Sequence, residues 1–153
     1  MNRQFIPSII LFFLILTSCQ AATPPPPITA SVGDEFILAS GQPATITNTD
    51  LTLRLIGISN DGRCPSEIEC AISGPVSLTI SIQKGDHEPT EFALQTFTDD
   101  DGRAPEGPFE GIQDSVEYEG YIFRIKAVSP YPVNLNDTIK DSEYRVSFTV
   151  VSK

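Results

Sequence analysis

Two cysteines with a short spacing are the side chains best placed to do chemistry in this sequence. Cys64 and Cys70 lie in the stretch NDGRCPSEIECAISG, residues 60–74, and the chain has three cysteines in all. A structural zinc site needs four ligands and usually a Cys-x₂₋₄-Cys spacing, whereas this spacing is Cys-x₅-Cys and the one histidine is His87. A thioredoxin-like redox pair needs Cys-x-x-Cys. The spacing therefore favours a disulfide, provided that the compartment is oxidising.

An acidic turn in the second half of the chain offers oxygen ligands. Asp99, Asp100 and Asp101 are consecutive, and carboxylate oxygens are what calcium selects. The turn lacks the alternation and the distal glutamate of an EF-hand loop, so we interpret it as a solvated loop and keep these residues as the calcium candidates. The triplet Asp-Gly-Arg occurs here at 101–103 and again at 61–63. We interpret each triplet as a tight turn whose arginine pairs with a nearby acid.

Catalytic arrangements are scarce in the sequence. Ser81 and Lys84 match the letters of the Ser-x-x-Lys motif, which needs a helix to place both on one face. Here they lie in an alternating strand, where residues three apart point to opposite faces. The sequence has no Gly-x-Ser-x-Gly, no His-Glu-x-x-His and no phosphate-binding glycine loop. We therefore predict a protein that is not an enzyme and needs no cofactor, with a hydrolase of unknown type as the alternative.

The N-terminus indicates the compartment. Residues 5–16 are almost entirely apolar after a short positive start, which is typical of a signal peptide and too short to span a bilayer. Leu16-Thr17-Ser18-Cys19 follows directly and resembles the bacterial lipobox. We therefore predict a signal peptide over 1–18 and acylation of Cys19, for example with palmitate. Gln20 favours the outer membrane or the cell surface, because an aspartate there would suggest retention at the inner membrane.

Net charge and proline content limit the classes of partner that we expect. The formal net charge is −10, with 20 acidic and 10 basic side chains, and a surface of this sign repels nucleic acid. Pro24 to Pro27 are four consecutive prolines, which impose an extended rod. We predict that residues 19–31 form a lipidated tether, that a membrane is a partner through the lipid, and that the protein is a monomer that does not bind nucleic acid.

The rest of the chain, residues 32–153, has the alternation of apolar and polar residues that is typical of half-buried strands. About eight strands with turn residues between them predict an all-β domain, an antiparallel Greek-key β-sandwich, with a β-barrel as the alternative. The long loops 59–75 and 98–114 suit crossings between sheets, and 137–143 suits a helical turn. The predicted strands are 35–39, 43–48, 51–59, 76–83, 91–97, 115–119, 121–128 and 144–151.

Two segments of this domain carry a family resemblance. The residues at 61–65 (DGRCP) and 70–74 (CAISG), together with 120–132, are similar to those of small secreted or lipid-anchored bacterial proteins that share an Asp-x-Arg-Cys-Pro…Cys-x-x-x-Gly segment. The resemblance implies a secreted β-domain with a disulfide and implies no activity. Ile72 stands where a tryptophan is common in those proteins.

Together these patterns predict a cell-envelope lipoprotein that is a non-enzymatic binding or structural module. One alternative is an inhibitor or partner of an envelope enzyme, because a disulfide-closed loop loses little entropy on binding. The other is a calcium- or glycan-binding module that uses residues 98–110. The candidate partner contacts are Arg63, Pro65, Glu67 and Tyr131. Tyr131 lies between two prolines, and for it we favour packing over the end of the sheet.

Overall fold

The computed structural model describes residues 24–136 and 138–153. These residues form two β-sheets, with strand orders β1-β3-β4-β5-β6 and β2-β9-β8-β7. The predicted signal peptide and Cys19 lie outside the described residues. Within the described part, no helix is long and apolar enough to cross a membrane. The strands are β1 (Ile28–Ala30), β2 (Glu35–Ala39), β3 (Pro43–Ile46), β4 (Leu51–Asp61), β5 (Val76–Lys84), β6 (Thr90–Thr96), β7 (Ser115–Tyr118), β8 (Tyr121–Ser129) and β9 (Arg145–Ser152).

The strands form where the sequence alternates, because each sheet turns one face to the core and the other to solvent. In β5 the apolar side chains Val76, Leu78, Ile80 and Ile82 are all buried. Their neighbours on β4 and the opposite sheet complete one continuous core, whose largest fully buried side chains are Phe123 and Phe148. Burying each side chain of this size stabilises the fold by about 1.5–3 kcal/mol. This packing holds the two sheets together.

The predicted β-sandwich is confirmed, since the described strands form two separate sheets that do not close into a barrel. All eight predicted strands are present. The short 3₁₀ helix Asp141–Glu143 lies within the predicted helical turn. A ninth strand, β1, was not predicted and lies in the stretch 19–31 that the sequence assigned to the tether. Ile28, Thr29 and Ala30 alternate in polarity, but three residues after four prolines are too few to predict a strand. β1 pairs in parallel with β3, which departs from a purely antiparallel sandwich.

The two long loops behave differently from each other. The loop after β6 crosses from one sheet to the other, as predicted for 98–114. The loop 62–75 does not cross, because it joins β4 to its neighbour β5 in the same sheet. We call β4, this loop and β5 the long hairpin, and residues 62–75 its tip. Since β3 pairs only with the first part of β4, the end of β4 projects past its neighbour.

Candidate functional site

The tip of the long hairpin is closed by a disulfide. The Sγ atoms of Cys64 and Cys70 are 2.07 Å apart and their Cα atoms 5.9 Å apart, which confirms the predicted pairing. The backbone N–H of Cys64 also donates to Oγ of Ser73 at 3.1 Å. The disulfide and this hydrogen bond both join the two halves of the tip.

Two glycines bring the strands of the tip close together. The N–H of Gly62 donates to the carbonyl of Pro75 at 3.1 Å, and the N–H of Gly74 donates to the carbonyl of Gly62 at 2.8 Å. A Cβ at Gly74 would lie 2.8 Å from that carbonyl oxygen, a distance that side chains do not tolerate. The sequence needs glycine at this position because the backbones touch.

Arg63 fills the space beneath the tip, and its side chain is completely buried. Its Nε and Nη2 atoms donate to the two carboxylate oxygens of Asp61 at 2.8 and 2.6 Å. Nη1 donates to the carbonyl of Val128, and Nη2 to that of Pro130, both at 2.8 Å. The guanidinium carbon lies 4.9 Å from the centre of the Tyr131 ring. One arginine thus joins the long hairpin to the end of β8 in the other sheet.

Asp61 is further held by a tyrosine. The hydroxyl of Tyr144 donates to Oδ2 of Asp61 at 3.0 Å. Burial, strengthened by the hydrogen bond to Asp61, raises the pKa of Tyr144 to about 12. Burial alone would raise the pKa of Asp61, but the hydrogen bonds and the charge of Arg63 lower it more, so the net shift is downward. The carboxylate stays ionised and the phenol neutral, as a buried and fully bonded cluster requires.

The tip is also bonded to the segment that follows β8, residues 130–136. The N–H groups of Ser66 and Glu67 donate to the carbonyls of Pro132 and Val133, each at 3.0 Å. These two backbone bonds run side by side. They join the disulfide loop to the segment that follows β8.

The four candidate partner contacts have different positions. The prediction for Arg63 is wrong, because its guanidinium is buried and donates to the carboxylate of Asp61 and to two backbone carbonyls. Tyr131 is half-buried over Arg63. Pro65 is half-buried at the rim, and Glu67 is exposed. Of the four, Glu67 has the most freely accessible side chain.

Exposed apolar side chains lie on the tip and on the segment 130–136. Ile72 is 85% exposed, Leu135 is 79% exposed and Val133 is 43% exposed. The carboxylates of Glu67 and Glu69 are exposed on the same loop as Ile72. We call the exposed side chains of Ile72, Val133 and Leu135 the loop surface. A depression of about 210 Å³ beside it is lined by Asp61, Arg63, Pro65, Pro132, Asn134, Leu135, Ile139 and Tyr144.

The acidic turn uses its first carboxylate internally. Oδ1 of Asp99 accepts the backbone N–H groups of Asp101 and Arg103 at 3.1 and 2.8 Å. Asp100 and Asp101 are exposed. Over residues 24–136 and 138–153, no three histidine, cysteine, aspartate or glutamate side chains are grouped to hold a metal ion. Asp99 therefore acts as a turn cap, and calcium binding by the three aspartates stays a prediction.

An aromatic cleft lies next to this turn. The rings of Phe97 and Phe109 meet edge to face with centroids 5.5 Å apart, and Phe109 is 52% exposed. Together with Thr98, Asp99, Arg103 and Pro105 they line a cleft of about 310 Å³. Oγ of Thr98 is buried there and has no hydrogen-bond partner in the described structure. The cleft offers apolar faces beside polar atoms.

The other residues with reactive side chains have separate environments. Nζ of Lys84 donates to Oε2 of Glu119 at 2.5 Å, Ser81 lies buried within β5, and His87 is exposed in the turn after it. Comparison of the chain with protein-family models, with curated proteins and with solved structures gives no match. Sequence reasoning predicted that Arg63 pairs with a nearby acid, which its ion pair with Asp61 confirms, but it missed the burial of this pair and its contact with Tyr144. The signal for the pair was the position of Asp61 and Arg63 two residues apart, which places both on one face of an extended chain.

Proposed function

We propose that this protein is a non-enzymatic binding module of the bacterial cell envelope, held at a membrane by lipid on Cys19, and that the loop surface is its contact element. The sequence support for the lipid is the lipobox-like segment 16–19 directly after an apolar stretch. The acidic surface fits this role, because it disfavours nucleic acid and leaves proteins, glycans and the membrane itself as partners.

One observation carries the assignment of the contact element: Ile72 is 85% exposed on a loop that is fixed from three sides. The disulfide closes the loop, Arg63 supports it from beneath, and two backbone bonds join it to 130–136. Exposed apolar side chains mark contact sites when they are grouped, and Ile72, Val133 and Leu135 lie on two segments that are hydrogen-bonded to each other. A preorganised loop loses less conformational entropy on binding, so more of the contact energy remains as affinity.

The anchor is tested by the mass of the mature protein. Expression of the full sequence in a bacterial host should yield a protein that begins at Cys19 and carries acyl chains. Cys19→Ser should prevent both acylation and recovery with the membrane fraction. A mature protein that begins elsewhere, or an unmodified Cys19, would refute the anchor.

The contact element is tested with matched isoleucines. Ile72→Ser removes an apolar side chain from the loop surface, whereas Ile37→Ser removes a 57% exposed isoleucine from β2. A partner recovered from envelope extract and then purified should bind the parent chain and the Ile37→Ser variant alike. It should bind the Ile72→Ser variant several-fold more weakly. Equal weakening by both changes would show that the loop surface is not the contact element.

If that partner is an envelope enzyme, inhibition of its activity by the parent chain would identify the inhibitor form of this function.

A second candidate function, glycan binding, is favoured by the aromatic cleft. Sugar rings present C–H groups to aromatic faces and hydroxyls to polar atoms, and the cleft is lined by Phe97 and Phe109 beside Asp99 and Arg103. Titration with soluble cell-wall oligosaccharides should perturb Phe109 signals in NMR spectra. Phe109→Ala should abolish the perturbation, and absence of any shift in the parent chain would remove this candidate.

A further inference from the structure

The tether enters the domain at the same end as the tip of the long hairpin. β1 runs parallel to β3, and Nε2 of Gln42 donates to the carbonyl of Pro26 at 2.8 Å. Pro24 and Pro25 line a cleft with Gly41 and Asp141, among other residues. The prolines before β1 therefore lie along the domain rather than leading directly away from it.

We call the position where Pro24 and Pro25 contact the domain the docking level. It can be located along the long hairpin. The N–H of Gly41 donates to the carbonyl of Leu55 in β4 at 2.7 Å. From there β4 continues through Ile56 to Asp61. At about 3.3 Å per residue, this part of the hairpin projects by about 20 Å beyond the docking level. The disulfide loop lies at its far end.

The chain before the docking site has a similar reach. Pro25 is six residues after Cys19, and a fully extended chain spans at most about 3.6 Å per residue, or about 22 Å here. The lipid-bearing residue cannot be farther from the docking level than this. Even a fully extended chain before Pro25 would therefore reach only about as far as the projecting hairpin, so the tip extends to the level of the lipid or beyond it.

We propose that the tip of the long hairpin rests on the bilayer that holds the Cys19 lipid, with Ile72 and Leu135 in contact with its interfacial region. This inference rests on the lipid anchor of the proposed function and names the bilayer as the occupant of the loop surface. Both side chains are apolar and more than three-quarters exposed, as an interfacial contact requires. Glu67 and Glu69 on the same loop favour zwitterionic over anionic head groups, because like charges repel.

The test uses the absence of tryptophan from the sequence. Ile72→Trp places a single reporter at the tip, and Asp86→Trp places one in the exposed turn after β5, at the opposite end of the hairpin. Each full-length acylated protein is reconstituted in phosphatidylethanolamine and phosphatidylcholine vesicles that contain a brominated lipid. The Ile72→Trp reporter should be quenched several-fold more than the Asp86→Trp reporter and should emit at shorter wavelength. Equal quenching at the two ends would overturn the proposal.

Three further measurements test this inference, and the first of them separates it from the anchor. Flotation with the vesicles tests the anchor first: failure of the acylated protein to float refutes both, whereas flotation with equal quenching refutes only the contact. Insertion of a Gly-Ser segment between Ala22 and Thr23 lengthens the tether and should lower the quenching of the Ile72→Trp reporter. Partial replacement of the zwitterionic lipid by phosphatidylglycerol should lower it as well. Quenching that is unchanged by the longer tether would contradict the length argument.

Discussion

The two Asp-Gly-Arg triplets have the same residues and opposite environments. The side chain of Arg63 is 0% exposed and pairs with Asp61 of its own triplet. The side chain of Arg103 is 47% exposed and pairs with Glu35 on β2 at 2.6 Å. Both triplets meet at one residue, since Arg63 donates to the carbonyl of Val128, and the N–H of Val128 donates to the carbonyl of Gly102 at 2.8 Å.

The difference between the triplets shows that a motif of three residues does not set its own energetics. A buried ion pair is costly to break, because removal of one partner leaves a desolvated charge. An exposed pair contributes little, because water and salt screen it. Arg63 therefore acts as a structural brace between the sheets. Arg103 links the loop between β6 and β7 to β2 at a solvent-exposed surface.

The largest expected effect is that of Arg63→Ala. It leaves the carboxylate of Asp61 without its bidentate partner and two backbone carbonyls without a donor, so we expect a loss of about 3–5 kcal/mol in the free energy of unfolding. Urea denaturation followed by circular dichroism measures it. The double variant Arg63→Met with Asp61→Leu should be less destabilised than Arg63→Ala, since it leaves no charge unpaired. A loss below that of Arg103→Ala would contradict the comparison.

The second-largest expected effect distinguishes the central glycines of the two triplets, Gly102 and Gly62. A Cβ at Gly102 would lie 2.5 Å from the carbonyl oxygen of Val128, and Gly102 has a φ of +78°. A Cβ at Gly62 would lie 3.0 Å from the carbonyl oxygen of Pro75. Because overpacking typically costs about 1–3 kcal/mol, Gly102→Ala should lower the free energy of unfolding more than Gly62→Ala. Thermal melts of the two variants under one condition give the order, and the reverse order would refute it.

The disulfide should contribute less than the arginine beneath it. For a ring of this size the loop-closure argument gives about 2 kcal/mol, so Cys64→Ser with Cys70→Ser should lower the free energy of unfolding by that amount and leave the fold intact. Melting of the oxidised parent and of the double variant measures the loss. Addition of reductant should destabilise the parent and leave the double variant unchanged.

The smallest effect concerns the exposed pair and depends on pH. The hydrogen bond from Arg103, with that from Ser147, lowers the pKa of Glu35 from 4.5 to about 2. A lowered carboxyl pKa contributes stability above pH 4.5 that is lost as the pH falls toward 2. Arg103→Ala should cost about 0–1 kcal/mol at neutral pH. Glu35→Gln should reduce the acid-induced fall in melting temperature between pH 4.5 and 2, and an unchanged acid limb would show that this pair does not stabilise the fold.

The alkaline range should report on the buried cluster instead. The raised pKa of Tyr144, about 12, contributes stability that is complete below pH 10 and is lost as the pH rises from 10 to 12. Tyr144 belongs to the cluster around the first triplet, because its hydroxyl donates to Asp61. The two triplets are therefore linked to opposite ends of the pH scale.

Much of the fold could be predicted because alternation is a local signal. Leu53 and Leu55 in β4 and Leu78 and Ile80 in β5 are buried as their spacing indicates. Strand β1 could not be predicted, since alternation over three residues is too short a signal and the strand depends on its pairing with β3. The burial of Arg63 was missed for a related reason. The carbonyls that receive it come from Val128 and Pro130, which are distant in sequence.

The sequence by itself determined the class of fold, the positions of eight of the nine described strands and the pairing of Cys64 with Cys70, because these follow from periodicity, turn residues and a small number of cysteines. The tertiary structure alone decided which arginine of two identical triplets is buried, and that the tether and the disulfide loop share one end of the sandwich. Those outcomes depend on which distant backbone atoms the folding chain brings within reach of a side chain, and no local pattern encodes such distances.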